Sequence, residues 1–133
     1  MEQIKELENL LRMFPLWGDA ALQIDETEPK PGSCGLFPLG IQELSRREDV
    51  TGNVRTRLRQ RYVLRRVIGR GEDAAAWLLA LQTWLWGKQL PGFGSDCQVR
   101  AEKGSLSKAR QAGTDLYEAT ITLEYTKEHK YED

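Results

Sequence analysis

The chain has 133 residues, 40% hydrophobic and 29% charged, the profile of a soluble globular domain with room for one core. No apolar run approaches the about 20 residues of a membrane helix, and the start Met1-Glu2-Gln3-Ile4-Lys5-Glu6 lacks a signal peptide's basic and apolar regions, so the expected place is the cytoplasm, with no membrane partner. The net charge of −1 conceals an asymmetry: Arg46 to Arg70 holds nine arginines, no lysine and two acids, which gives +7 and leaves −8 for the remainder. That split points to pairing within the chain or between subunits at least as strongly as to a nucleic-acid surface.

In chain order, residues 2–14 read as a helix, because Ile4, Leu7, Leu10, Leu11 and Phe14 recur at helical spacing and Pro15 stops the run. Trp17 is expected to pack over its end. Ala21–Asp25 forms a short strand, and the proline- and glycine-containing stretch 26–33 is a loop. Gly40–Arg46 is a strand of imperfect alternation, and Glu48–Asn53 supplies turn chemistry, with Gly52-Asn53 suited to positive φ.

Asn53–Ile68 is the most regular stretch of the sequence. Val54, Thr56, Leu58, Tyr62 and Leu64 fall on one side, interrupted only by Gln60, and Arg55, Arg57, Arg59, Arg61 and Arg65 fall on the other. Side chains alternate across a strand, so this period of two predicts a long strand with an apolar face and a row of arginines. A hairpin between about residues 36–47 and 53–68 follows economically.

Glu72 and Asp73 open a second helix, where their charge meets the positive end of the macrodipole. It runs through Trp86 and ends near Gly87. Trp77, Leu78, Leu81, Trp84 and Leu85 make its apolar stripe, and Leu79 and Trp86 widen that stripe enough to predict burial on more than one side. The apolar face of the arginine strand is its expected counterpart. A strand at Cys97–Glu102, its continuation past Gly104 to Lys108 left open, a turn at 111–114 and a final strand Leu116–Tyr125 complete the order, with Thr126–Asp133 as a frayed polar tail.

The expected fold is a single α+β domain over 1–133, with an ordered core to residue 126. It has a mostly antiparallel sheet of about five strands, with two main helices on one face. If residues 97–125 pair beside 53–68, Glu118 and Glu124 share the arginine face as its acidic partners.

No enzymatic chemistry emerges. His129 stands alone in the polar tail, the serines occupy no nucleophile motif, and the glycine pairs at 69 and 71 and at 92 and 94 lack phosphate-binding spacing. Cys34 and Cys97 lack metal-ligand spacing and read as free thiols, with a disulfide left open until geometry is known. No cofactor, metal or catalytic residue is expected. The arginine row has three readings: a solvated sheet face with cross-strand glutamates, a subunit interface, or a track for phosphates. The last is the weakest, since the segment adds neither lysine nor exposed aromatics.

Three features together carry a family resemblance over most of the chain, from the first helix to Lys127. They are Leu36-Phe37-Pro38-Leu39-Gly40 leading into Ser45–Arg55, the tryptophan-rich helix after the hairpin, and Gly104–Lys108 followed by Tyr117–Lys127. The chain resembles the small tail-terminator, or minor tail, proteins of long-tailed bacteriophages and prophages. The resemblance implies an α+β sheet flanked by helices and a structural role. Such proteins form a ring, commonly a hexamer, that ends tail-tube growth and prepares the tail for head joining. The implied partners are other copies of the chain, the tail tube protein and the head-tail connector. The implied setting is the host cytoplasm during assembly and then the virion tail. No catalytic residue carries over; the Pro29–Cys34 loop and the Glu48–Asn53 turn are the candidate contacts. A nucleic-acid module working through residues 55–66, or another minor tail or assembly component, is the alternative.

Overall fold

The computed structural model describes residues 2–18, 20–27, 32–68, 73–100, 106–111 and 114–130. They form an α+β fold in the order α1 (Glu2–Arg12), β1 (Leu22–Ile24), β2 (Cys34–Glu48), β3 (Asn53–Val67), α2 (Ala74–Leu85), β4 (Gln98–Arg100), β5 (Leu106–Gln111) and β6 (Thr114–Lys130). The six strands make one sheet in the order β1-β2-β3-β6-β4, and β5 also pairs with β6. Because β4 and β5 lie end to end along one side of β6, the sheet is five strands wide. Only β1 with β2 is parallel; the other pairings are antiparallel.

The period of two in Asn53–Ile68 becomes the central strand. β3 pairs with β2 on one side and, in unbroken register, with β6 on the other. Val54, Thr56, Tyr62 and Leu64 are buried on its inner face, opposite the inner face of β6, where Ala119, Ile121, Leu123 and Tyr125 are buried. Leu7 and Leu11 of α1 and Leu78, Leu81 and Leu85 of α2 close the same core. Helix α2 is capped by Asp73, whose carboxylate accepts from the Ala76 N–H at 3.0 Å, and its glycine stop lies at Gly87, φ 81°.

Several expectations need correction. Residues 126–130 are not a frayed tail: β6 runs on to Lys130 because β3 offers a partner as far as Asn53. The remainder of that tail, 131–133, lies outside the described residues, as do 29–31 of the proposed Pro29–Cys34 contact loop, Glu72 and the turn residues 112–113. β2 is longer than Gly40–Arg46 and starts at Cys34; of the stretch from Cys97 to Lys108, Gln98–Arg100 lies in β4 and Leu106–Lys108 in β5, and 101–105 lie outside the described residues.

Helix α2 is not buried on more than one side. Leu79 is 51% and Trp86 47% exposed, although the rest of the stripe packs inward. It also lies chiefly over β6 rather than over the arginine strand. Gln82 donates to the Thr120 carbonyl of β6 at 3.2 Å.

The β2–β3 hairpin turns at Asp49–Gly52, where the Gly52 N–H donates to the Asp49 carbonyl at 3.2 Å. Asp49 organises its turn: one carboxylate oxygen accepts from the Thr51 N–H at 2.9 Å, the Thr51 hydroxyl at 2.6 Å and the Asn53 N–H at 3.0 Å. The Thr51 hydroxyl bond first, then the Asn53 N–H, hold this carboxyl below its usual range. Gly52 supplies the positive φ, 87°, that the turn needs.

Candidate assembly surface

The outer face of the sheet carries the arginine row, and the register of β3 with β6 sets an acid beside it. Arg55 stands opposite Glu128, Arg59 opposite Glu124 and Arg65 opposite Glu118. Directly opposed side chains on one face are within reach of each other. Arg59 accordingly bonds Glu124 at 3.1 Å, Arg65 bonds Glu118 at 2.7 Å, and Arg55 bonds Glu128 at 2.8 Å.

Glu124 is the hub of this face. Besides Arg59 it meets Arg57 at 3.7 Å and Arg100 of β4 at 3.9 Å, and its side chain is only 16% exposed. Arg57 reaches in a second direction. It bonds the Asp96 carboxylate at 2.9 Å and donates to the Thr126 hydroxyl at 3.1 Å. Asp96 also accepts the Thr126 backbone N–H at 2.8 Å, so its side chain extends the edge pairing just ahead of the start of β4. Burial pushes the Asp96 carboxyl up, but the Thr126 bonds and the Arg57 charge more than offset this and hold it below the usual range.

Arg65 additionally sits over the Phe37 ring at 4.4 Å, and Arg61, opposite Gly40 and Thr122, is engaged as well. The acids involved all come from outside the +7 segment. The charge asymmetry of the sequence is thus closed largely inside one chain, across the β3–β6 and β3–loop contacts. An arginine already matched by a carboxylate offers less to a phosphate than a bare one.

Sequence reasoning overlooked three residues here. Glu128 shares the parity of Glu118 and Glu124, a signal present in the sequence but hidden by reading residues 126–133 as a tail. Asp96 acts from a loop, and no periodicity points to it. Arg66 shares the parity of Tyr62 and Leu64, and is buried on the inner face. Its guanidinium lies 3.8 Å over the Trp77 ring and donates to the Cys34 sulfur at 3.5 Å. Cys34 and Cys97 are free and buried, and burial pushes the Cys97 thiol up to about 12. Among the described residues no cluster of three or more His, Cys, Asp or Glu is placed to hold a metal ion, and no helix is long and apolar enough to cross a membrane.

The edge beside this face is open. β1 pairs with β2 only from Cys34 to Leu36, and among the described residues no strand covers β2 from Phe37 to Glu48. Register shifts place Leu39 and Leu44 as bulged residues along that edge. Leu39 is 59% and Ile41 60% exposed. At the hairpin tip a shallow hollow is lined by Arg47, Asp49, Arg55 and Glu128, a mixture of charges with no net preference for an anion.

No protein-family model matches the chain, and a search of curated proteins finds no match to it.

Proposed function

We propose that this protein is a structural component of a phage or prophage tail, a tail terminator that caps the tail tube as a ring and prepares the tail for head joining. One observation carries the reading. Among the described residues, the long β2–β3 hairpin leaves an uncovered strand edge from Phe37 to Glu48, with Leu39 and Ile41 exposed along it. An open edge with apolar side chains is a template for pairing; here charge is confined to the Glu43–Glu48 end, and Leu39–Gln42 carries none of its own. A head-to-tail contact sets one such surface against a different one and closes into a ring when the rotation allows. The family resemblance supplies the hexameric count, the tail tube and connector as partners, and the host cytoplasm as the place of assembly. Arginine pairing within the sheet removes the main ground for the competing nucleic-acid reading.

The test is molar mass in solution across protein concentration and salt, together with binding to a purified phage tail tube protein. Rings, or tube-dependent rings, are expected. A strict monomer that leaves tubes unbound overturns the reading. Titration with duplex DNA at two salt concentrations is expected to show no tight, steeply salt-dependent binding.

A further inference from the structure

The pairing of β3 with β6 is the longest in the sheet, yet no turn sets its register. β2 and β3 are joined by the Asp49 turn, and β5 returns to β6 with Gln111 paired to Thr114. β3 and β6 are joined only through residues 68–113, which include α2, β4 and β5. Their alignment, from Asn53 opposite Lys130 to Val67 opposite Leu116, is therefore chosen by side chains.

A slip of one residue turns every side chain to the wrong face. A slip of two does not, because both faces repeat every second residue. On the outer face, one such slip sets Arg57 opposite Glu128 and Arg61 opposite Glu124. That makes two matched pairs against the three observed, at the cost of Arg55 facing Lys130. On the inner face the same slip brings Leu64 to Ile121 in place of Ala119, and Tyr62 to Leu123 in place of Ile121. Such apolar contacts are not directional.

Gln60, the interruption in the apolar face, is directional. Its Nε2 donates to the Tyr62 hydroxyl at 2.8 Å, and its Oε1 accepts from the Tyr125 hydroxyl at 2.9 Å. The amide thus spans the gap between Tyr62 and Tyr125, which stands opposite Leu58. Phe93 lies against both rings, its centroid 6.4 Å from that of Tyr62 and 6.1 Å from that of Tyr125. Burial lifts the Tyr62 hydroxyl to about 12 and raises that of Tyr125, so both stay neutral and Tyr125 keeps the proton it donates. Slipping two places one way sets Tyr125 directly opposite Gln60 and narrows the gap that Phe93 spans. Slipping the other way sets Tyr125 opposite Thr56 and carries its hydroxyl away from the amide.

We propose that Gln60 is a register gauge: by bridging Tyr62 and Tyr125 it selects the observed β3–β6 alignment over those two residues away. A polar group in an apolar face specifies register when it finds its partners in one alignment alone. The choice matters for the surface described above. β2 and β3 move together, so a slip of two carries the hairpin and its open edge roughly 7 Å along β6. Helix α2 packs on β6 and stays behind. The proposal is independent of the ring reading.

Nuclear magnetic resonance on the full chain tests it. The variants are Gln60→Leu, the double change Tyr62→Phe with Tyr125→Phe, and Glu124→Gln as an outer-face control. The parent is expected to give one set of β3 and β6 signals, with cross-strand contacts from Tyr62 to Ile121. Gln60→Leu is expected to add a second set at about a tenth of the intensity, with contacts from Tyr62 to Leu123 or Ala119. The double variant keeps the rings and is expected to show the same second set. Glu124→Gln is expected to melt lower and keep one register, as would any residue that acts on stability alone. A single native register in both Gln60→Leu and the double variant, whatever their melting temperatures, overturns the proposal. So does a parent with two sets, or a second set of equal intensity in Glu124→Gln, since charge pairing then chooses the alignment. If Gln60→Leu does not fold, the double variant decides. Unfolding of both overturns the proposal, because the bridge then holds the fold together without choosing between alignments.

Discussion

Glu124→Gln tests whether the arginine face is held by charge or merely decorated with it. The carboxylate lies 3.1 Å from Arg59, 3.7 Å from Arg57 and 3.9 Å from Arg100, and is only 16% exposed. An opposed charge pair on a sheet contributes roughly 0.2–1 kcal/mol. One shorter and two longer contacts on a single carboxylate therefore put the loss at about 1–2 kcal/mol, because three guanidinium groups are left crowded without their shared counter-charge. For a chain of this size that is a fall in Tm of about 3–8 °C. Glutamine keeps the size and one acceptor oxygen, so packing is preserved and charge alone is removed. The assay is urea and thermal unfolding at low and high salt, with Glu128→Gln as the comparison. Arg55 and Glu128 are 67% and 62% exposed, so that pair is expected to contribute about 0–0.5 kcal/mol. The Glu124 effect should shrink as salt shortens the screening length to about 3 Å near 1 M. A loss that ignores salt, or one no larger than that of Glu128→Gln, refutes the charge-hub account.

Three further outcomes follow from local geometry. Gly35→Ala is expected to destabilise by about 1–3 kcal/mol, because a β-carbon there runs into the Thr27 hydroxyl and the Glu26 backbone carbonyl, whereas Gly92→Ala meets only the movable Glu6 carboxylate and should be close to neutral; urea midpoints compare the two. Asp96 has a folded-state pKa depressed below 3.8, so its contribution is present above that value and is lost as pH falls through the folded pKa. Asp96→Asn should accordingly flatten the acid limb of the stability–pH curve in that window and leave its slope near neutrality unchanged. Arg66→Lys should cost about 1–3 kcal/mol and alter the native tryptophan fluorescence, since an ammonium cannot reproduce the planar stack on Trp77 or the fork that reaches Cys34.

What the sequence made legible was whatever repeats with a fixed period. Asn53–Val67 alternates so regularly that its two faces, its hairpin partner and the placing of Glu118 and Glu124 beside the arginines are all accessible from the letters. The strand β6 is equally regular, but its last residues are Lys127, Glu128, His129 and Lys130, and polarity there hid a strand whose hydrogen bonds go to β3 and not to a core. Residues that act through the backbone left no periodic trace. Asp96 substitutes for a missing strand residue at Thr126 from within a loop, and only the start of β4 at Gln98 explains why it is needed. The wide apolar stripe of α2 points to burial on more than one side, because hydrophobicity alone cannot distinguish a core contact from an exposed apolar flank. Exposure of Leu79 and Trp86 is what separates the two.

The β2 edge shows how an exposed strand can be blunted along most of its length. Flat, unbroken edges add strands indiscriminately, and proteins blunt them with proline, bulges and charge. Here Pro38 and the Leu39 bulge interrupt one end, while the Leu44 bulge and the charged run Arg46, Arg47, Glu48 interrupt the other. Between them Gly40, Ile41 and Gln42 form a short uncharged window in register with Arg61, Gln60 and Arg59. The bulges add twist, which works against stacking of identical edges into a fibril. The arginine face behind this edge, paired with Glu118, Glu124, Glu128 and Asp96, stiffens the hairpin by tying β3 to β6 and to the loop before β4.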